Sequence, residues 1–265
     1  MNFDYRIESI RTPALTLDYH LVPWDSEIVG RPVAQISELR IAEPTQAAED
    51  FQAFTRWCAH QAIELCACRV AADRLTESMF LEDHGFRHVE LNYLPRLDNL
   101  QERRFDTRDI QIAPADERDR DLLANMAAEV LRHGRFHQDP RIDPSLGDRR
   151  YRVWMTNAFT RPQQTVLKCL LDGAIVGFFV IEFPEPKHCF WSLIGLAAGL
   201  QGRGLGKRVW NAMLAQHREQ GIDTVSTSIS SHNVAVFNLY VALGFRFPAP
   251  SMTLQWRPPG SGVLS

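Results

Sequence analysis

The stretch Gly195-Leu-Ala-Ala-Gly-Leu-Gln-Gly-Arg-Gly-Leu-Gly206 decides the fold of this 265-residue chain. An apolar run, Phe190 to Leu196, precedes it and apolar residues at helical spacing follow it, which predicts a strand, a glycine-rich turn and a helix start. The first amides of a helix have no partner inside the helix and lie at the positive end of its dipole. Because glycines leave those amides accessible, the stretch predicts an anion site. A flexible turn is the alternative for the glycines alone.

The spacing of the glycines excludes two familiar phosphate loops. No Gly-Lys-Ser/Thr of a P-loop is present, and Gly202-x-Gly204-x-Gly206 is not the dinucleotide fingerprint. What remains is Gln-x-x-Gly-x-Gly, followed by a predicted strand over Thr224 to Ile229, then Asn233, a helix, and Tyr240-x-x-x-Gly-Phe245. This order resembles the acetyl-CoA-binding core of the GNAT acetyltransferases over roughly residues 106–258.

The resemblance implies an α/β (α+β) chain with a GNAT fold, in which a mixed, mostly antiparallel sheet carries helices on both faces. It also implies an N-acetyltransferase of the EC 2.3.1 class. The expected cofactor is acetyl-CoA or another acyl-CoA, and the expected partner is the primary amine of a small molecule, which receives the acyl group directly.

The first part of the chain repeats the pattern of the second. Gly85-Phe-Arg87 corresponds to Gly244-Phe-Arg246 at an offset of 159 residues, and the same offset aligns the predicted strand 65–71 with residues 224–230. We therefore predict a degenerate, structural GNAT-like domain at residues 1–105 and a catalytic domain at residues 106–265. The segment equivalent to the glycine loop has no glycine and carries Glu43, which would repel a diphosphate.

Composition excludes several classes of protein. The formal net charge of −3 gives no sign of a nucleic-acid partner, and no apolar run reaches the length of a membrane span. The five cysteines are odd in number and lack zinc spacing, so we expect buried thiols, no metal and a cytoplasmic location. A homodimer is expected only because many small acetyltransferases dimerise.

The resemblance assigns the cofactor to the loop and to the strand before it. The strand would pair with the pantetheine arm while splaying from its neighbour, with a bulge at Gly195, and a main-chain amide such as that of Leu196 would polarise the thioester oxygen. For Arg203 an exposed charge without a role is the alternative, and Asn233 is also a good helix N-cap. The predicted cofactor residues are Leu196, Ala197, Gln201, Gly202, Arg203, Gly204, Leu205, Gly206, Lys207 and Asn233.

Two residues are predicted to move protons. Tyr240 matches the family tyrosine and would protonate the leaving thiolate, although its apolar neighbours also suit a tyrosine of the core. Glu182, near the end of the strand before the cofactor strand, is the candidate base; the alternatives are residues of the 133–146 segment or a water chain. An acyl-cysteine route through Cys189 is disfavoured because no histidine partner is evident.

An arginine-rich segment is the candidate site for an acidic acceptor. Arg135, His137 and Arg141 are predicted to bind the substrate, with pairing to nearby aspartates as the alternative. The layout, including Trp24-Asp and Trp154, loosely resembles the TDP-fucosamine acetyltransferase branch, which implies a nucleotide-linked amino sugar as acceptor. A protein or antibiotic amine, or a silent acyl-CoA-binding module, are the rival interpretations.

Overall fold

The computed structural model describes residues 6–107, 109–200, 202 and 204–265. The helices are α1 (Pro23–Val29), α2 (Pro44–His60), α3 (Leu75–Asp83), α4 (Arg120–Val130), α5 (Arg135–Gln138), α6 (Pro144–Ala158), α7 (Leu205–Glu219) and α8 (Val234–Ala242). The strands are β1 (Glu8–Arg11), β2 (Leu15–Leu21), β3 (Val33–Ile41), β4 (Leu65–Ala71), β5 (Arg87–Tyr93), β6 (Arg96–Leu97), β7 (Gln111–Pro114), β8 (Thr165–Leu171), β9 (Ala174–Glu185), β10 (His188–Leu196), β11 (Thr224–Thr227), β12 (Ile229–Ser230) and β13 (Ser251–Trp256). Across the described ranges, no helix is both long and apolar enough to cross a membrane.

Corresponding helices in the two halves of the chain begin and end at equivalent residues. Helices α3 and α8 have bounds that differ by 159 at both ends, the offset of the sequence repeat. Each is followed by a glycine with positive φ, Gly85 at +86° and Gly244 at +83°, which ends the helix. Helix α6 begins at Pro144, which suits the first turn of a helix because the amide that proline lacks would have no partner there.

The chain forms two compact units, and each contains residues from both halves of the sequence. The first unit comprises residues 1–92, 135–146 and 249–265, and the second comprises residues 93–134 and 147–248. The predicted boundary after residue 105 therefore falls inside the second unit, and part of the predicted catalytic domain belongs to the first.

The first unit contains one sheet with a single apolar core. Its strands follow the order β1-β2-β3-β4-β13-β5, in which β3 and β4 are parallel and β13 is antiparallel to both β4 and β5. Helix α2 buries Phe51, Phe54 and Cys58 against this sheet, together with Phe80 and Leu81 of α3. The helices thus follow the apolar spacing that the sequence shows.

The second unit contains a six-stranded sheet with an apolar core on each face. The strand order is β6-β11-β10-β9-β8-β7, and all neighbours are antiparallel except β10 and β11. One core lies between the sheet and α7 and α8, and the other lies between the sheet and α4 and α6. Phe178 and Phe179 of β9 point into opposite cores. The predicted mixed, mostly antiparallel sheet with helices on both faces is confirmed.

Equivalent strands are exchanged between the halves of the chain. In the first unit β13 lies between β4 and β5. In the second unit β6 lies beside β11, and Arg96 of β6 forms two backbone hydrogen bonds with Arg246, of 2.9 and 2.8 Å. The offset of 159 maps β6 onto residues 255–256, the end of β13. Each unit therefore has the same local strand order, completed by a strand from the other half of the sequence.

Candidate functional site

Strands β10 and β11 separate to form a fork at the centre of the second sheet. Their parallel pairing runs from His188 opposite Thr224 to Trp191 opposite Thr227. β10 continues to Leu196 along β9, but no pairing with β11 beyond Trp191 occurs in the described part of the chain. The predicted splay of the cofactor strand is therefore present, with residues 192–196 as its open part, which we call the fork.

A β-bulge at Ser192 bends β10 where the fork begins. Trp191 and Leu193 lie opposite Ile181 and Val180, so Ser192 is an extra residue on β10, and its hydroxyl donates to the carbonyl oxygen of Val180 at 3.1 Å. A bulge bends its strand and increases the local twist, which turns β10 away from β11. The expected bulge at Gly195 is wrong in position by three residues.

Gly195 is needed for packing rather than for a bulge. A β-carbon on Gly195 would lie 2.6 Å from Cζ of Phe178, and one on Gly177 of β9 would lie 2.6 Å from the Gly195 carbonyl oxygen. The two glycines let β9 and β10 approach closely and leave room for the Phe178 ring. This close packing holds one side of the fork in place.

The glycine loop delivers the chain to the first turn of α7. Gly202 and Gly204 have φ of +75° and +76°, and the space beside both α-carbons is open. Leu205 is buried and anchors the helix, whereas Lys207 is exposed. Gly204 is the N-cap of α7, a 15-residue helix, and the first backbone amides of a helix have no partner inside it and lie at the positive end of its dipole. The predicted contacts of Gln201 and Arg203 lie outside the described residues.

Gly206 lies at a close contact between two helices. A β-carbon at this position would lie 3.3 Å from Leu239 of α8 and 3.7 Å from Leu196. The glycine lets α7 pack closely against α8. Its backbone amide still belongs to the first turn of α7.

The amides at the end of β10 alternate in direction. Ala197 donates its amide to the carbonyl oxygen of Val176 at 3.0 Å, so it points towards the side of β9. Because successive amides along a strand point to opposite sides, the amide of Leu196 is directed to the fork. The Ala197 amide is therefore engaged in sheet pairing, whereas the Leu196 amide lies on the side of β10 that faces the fork.

Tyr240 lies on α8 inside the core that α7 and α8 form with the sheet. It is 2% exposed, and its ring centroid lies 4.8 Å from that of Phe245 and 6.4 Å from that of Trp210. Burial raises the pKa of Tyr240 far above its ordinary value of 10, opposed by the polar groups of Trp210 and Thr227. The hydroxyl thus keeps its proton at neutral pH. Thr227 is the last β11 residue paired with β10, which places Tyr240 at the closed end of the fork.

The closed end of the fork is held by side-chain hydrogen bonds. Thr227 donates its hydroxyl to the Trp191 carbonyl oxygen at 2.8 Å, and the Trp191 indole donates to Nε2 of His217 on α7 at 2.9 Å. Nδ1 of His217 lies 3.3 Å from Oε1 of Gln220, so Nδ1 carries the proton. Burial lowers the pKa of His217 to about 4, and the hydrogen bond with Gln220 opposes this effect. The imidazole is therefore neutral.

Asn233 and Glu182 both have protein partners. The Asn233 Oδ1 accepts from the Val236 amide at 3.3 Å, which makes Asn233 the N-cap of α8 as its sequence position suggests. Glu182 is half-buried near the end of β9 and accepts a 2.7 Å hydrogen bond from the side chain of Gln164. Glu182 lies opposite Phe190, in the paired part of β10 before the fork.

The arginines predicted to bind the acceptor are engaged in ion pairs inside the first unit. Arg135 contacts the fully buried carboxylate of Asp25 at 2.5 Å. Arg141 donates two side-chain hydrogen bonds to buried Asp139, at 2.9 and 2.8 Å, and a third to a backbone carbonyl. His137 lies on the one-turn helix α5 of the same unit. The ion-pair alternative therefore describes both arginines in this structure, and the structure does not bring them together with Tyr240 in one unit.

Several residues of the fork carry no sequence signal that identifies them. Ser192 and Thr227 are ordinary strand residues by sequence, and only the register of β10 against its two neighbours gives them a role. Gly177 is a glycine inside a strand pattern, which is a usable sign of close backbone approach. Cys189 is fully buried and its pKa is raised to about 12, so it does not supply a nucleophilic thiolate.

Comparisons with known proteins agree with this architecture. Residues 129–245 match the family model described as the acetyltransferase (GNAT) family. A GCN5-related N-acetyltransferase from Sphaerobacter thermophilus is 12% identical with a TM-score of 0.64, over 95% of this chain and 83% of its own. A GCN5-related N-acetyltransferase from Kribbella flavida is 13% identical with a TM-score of 0.59, over 96% of this chain and 90% of its own. A tandem GNAT protein from the clavulanic acid biosynthesis pathway is 13% identical with a TM-score of 0.60, over 95% of this chain and 82% of its own. No curated protein matches the sequence. The structural likeness shows the fold alone.

Proposed function

From the GNAT fold of the chain and the N-acetyltransferase class of its residues 129–245, we propose that this protein transfers an acyl group from acetyl-CoA, or another acyl-CoA, directly to the primary amine of a small molecule. The observation that carries the proposal is the fork between β10 and β11, which opens beside the first turn of α7. A backbone edge, together with the first amides of a helix, which have no partner inside the helix, is what an amide-containing arm ending in a diphosphate requires.

The glycine loop before α7 would hold the diphosphate of an acyl-CoA. Gly202 and Gly204 leave open space beside their α-carbons, and the amides of Leu205, Gly206 and Lys207 begin α7. The Lys207 side chain adds an exposed positive charge at this end of the helix. We assign Gln201 and Arg203 to the same site on their sequence positions alone.

The remaining cofactor contacts would come from the fork and from the start of α8. The main chain of β10 between Ser192 and Leu196 would pair with the pantetheine arm, and Asn233 would contact that arm while capping α8. An acyl-CoA, when bound, supplies the acyl group as a thioester. The Leu196 amide, directed to the fork, would donate to the thioester oxygen.

Two proton-transfer roles follow from the surroundings of the fork. Tyr240 holds its proton at neutral pH and would donate it from the closed end of the fork to the departing sulfur. The amine must lose a proton before it attacks, and Glu182 is the assigned base. Because Glu182 lies opposite Phe190, which comes before the fork on β10, it would act through a water molecule. Gln164 would fix the orientation of that carboxylate through its 2.7 Å hydrogen bond.

We propose a nucleotide-linked amino sugar as the acceptor. The support is the loose sequence resemblance to the TDP-fucosamine branch. The acceptor would approach from the side of the sheet that carries α4 and α6, opposite to α7 and α8. On that face the guanidinium of Arg150 lies 5.4 Å from the ring centroid of Trp154. Because Arg135 and Arg141 are engaged by aspartates, their predicted substrate contacts require those ion pairs to be shared with the acceptor.

The experiment is thiol release from acetyl-CoA on addition of a dTDP-4-amino-4,6-dideoxyhexose. Tyr240→Phe removes the proton donor and keeps the packing, so turnover should fall about 100-fold or more while acetyl-CoA affinity stays unchanged. Tyr19→Phe is the matched control, since Tyr19 is a buried tyrosine of the first unit's core and its loss should leave turnover unchanged.

The outcomes separate the parts of the proposal. Release that collapses only in Tyr240→Phe supports both the acceptor class and the acid. Acetyl-CoA binding without release refutes the amino-sugar acceptor and favours a protein or antibiotic amine, or a silent acyl-CoA-binding module. Equal rates in Tyr240→Phe and the wild type refute the role of Tyr240.

A further inference from the structure

A second pocket lies in the second unit at the end of β11 opposite to the fork. Its volume is about 500 Å³, within the range of small-molecule sites. Thr224 and Asp223 line it at the start of β11, whereas the fork begins at Thr227, at the other end of the same strand. Strand β6, the turn after it and the residues after α8 complete the lining. The pocket is therefore distinct from the proposed acyl-CoA site.

Three arginines line this pocket, together with two aspartates, Asp98 and Asp223. Arg96 contacts the Asp98 carboxylate at 2.7 Å, and Arg103 donates its Nε to the backbone carbonyl of Asp98 at 3.1 Å. Among the residues that the structure describes, neither Arg103 nor Arg246 forms an ion pair with a carboxylate. With Asp223 as the second carboxylate, the lining keeps a net formal charge of +1.

The Arg103 guanidinium is held against the backbone of Gly244. A β-carbon on Gly244 would lie 3.0 Å from Nη1 of Arg103, and its φ of +83° also favours glycine. Two backbone hydrogen bonds join Arg96 and Arg246, the other two arginines of the lining. The arginines are thus positioned by the fold before any ligand arrives, which lowers the ordering cost of binding.

The equivalent corner of the first unit is closed. At the offset of 159, Gly244 corresponds to Gly85, whose α-carbon is covered by the Trp256 indole at 3.4 Å from a built β-carbon. Arg246 corresponds to Arg87, whose guanidinium donates to the backbone carbonyls of Glu82 and Phe86 at 3.1 and 3.0 Å. The two units therefore share the architecture of this corner, but only the second leaves it open and lines it with arginines that have donors to spare.

We propose that this pocket binds a small molecule through a phosphoryl group. The planar guanidinium group offers paired donors that match phosphate oxygens, and charge-assisted hydrogen bonds of this kind are the strong ones. Arg103 and Arg246 supply the donors, and Arg96 is held beside them by Asp98 and by Thr224, at 3.3 Å. The ligand would be a phosphorylated effector, or the phosphorylated part of a substrate, and would be separate from the acyl donor. Phosphate binding in this pocket does not depend on the proposed acyl transfer.

The test is the binding of inorganic phosphate to the full chain at low ionic strength, followed by 31P NMR with and without saturating CoA. Arg246→Gln and Arg103→Gln should each weaken binding about tenfold or more. Arg87→Gln, the equivalent substitution in the first unit, should leave it unchanged. Addition of CoA should also leave it unchanged, because CoA belongs to the fork.

Three results would overturn the proposal. These are the absence of phosphate binding, an equal loss in Arg87→Gln, and displacement of phosphate by CoA. If the protein fails to bind CoA at all, the comparison of the three variants without CoA still decides the question. Circular dichroism of each variant confirms that a loss of binding is not a loss of fold.

Discussion

Acidification should lower the stability of the protein through His217, whose imidazole holds β10 against α7. His217 is fully buried, accepts a 2.9 Å hydrogen bond from the Trp191 indole at Nε2, and has a pKa of about 4. Protonation of Nε2 would set an N–H group against another N–H group. In the unfolded chain the same imidazole titrates near its ordinary pKa of 6.5.

The sign and size of the effect follow from this difference in pKa. Between pH 6.5 and pH 4 the unfolded chain binds a proton that the folded protein does not, so stability falls as the pH falls. One pKa unit corresponds to about 1.4 kcal/mol, and the full difference therefore corresponds to about 3 kcal/mol. Most of this loss should be complete by about pH 4.5, and above about pH 7 the contribution of His217 to stability should be constant.

Urea unfolding measured at intervals from about pH 7.5 to about pH 4.5 tests the prediction, with His217→Gln as the matched control. The glutamine side chain of this variant cannot titrate, so the wild type should lose about 2–3 kcal/mol more than the variant over the range. The 15N NMR spectrum should also show an unprotonated Nε2 at neutral pH. Parallel stability curves for the two proteins would refute the assignment of a neutral, indole-bound imidazole.

Two further substitutions test the packing of each unit. Gly177→Ala should destabilise the protein by about 1–3 kcal/mol in urea unfolding, because the new β-carbon would lie 2.6 Å from the Gly195 carbonyl oxygen. Gly199→Ala is the control; its α-carbon has open space beside it, so stability should change by less than about 0.5 kcal/mol. Asp25→Asn should cost about 3–5 kcal/mol, because it leaves the Arg135 guanidinium without its buried counter-charge; a change below about 1 kcal/mol would contradict the ion pair's structural role.

The local elements of the fold could be predicted from the sequence because each has a short-range cause. Helix α8 begins at its Asn233 cap and ends before Gly244, and the glycine loop leads into α7 as the apolar spacing indicates. The repeat at an offset of 159 also predicted equivalent helices, and α3 and α8 have equivalent bounds. These signals depend on residues near one another in the chain.

Long-range features escaped the sequence analysis. The exchange of β6 and β13 depends on which sheet accepts each strand, and neither strand carries a mark of its destination. The bulge at Ser192 depends on register between β9 and β10, so glycine content wrongly pointed to Gly195. Arg135 looked like part of a ligand site because its buried partner, Asp25, lies 110 residues away in the sequence.

The central claim is that the first turn of α7 and its glycines form the acyl-CoA site. Gly204 and Gly221 flank the same helix, have φ of +76° and +77°, and have open space beside their α-carbons. A leucine at either position therefore causes similar backbone strain, of about 1–2 kcal/mol, but only Gly204 lies at the anion-binding end of the helix.

The most direct measurement is the affinity for acetyl-CoA of the wild type, Gly204→Leu and Gly221→Leu, by isothermal titration calorimetry on samples with matching circular dichroism spectra. We expect Gly221→Leu to bind as the wild type does and Gly204→Leu to bind at least tenfold more weakly. If the wild type does not bind acetyl-CoA, or if both variants bind equally well, the assignment of this site to an acyl-CoA is contradicted.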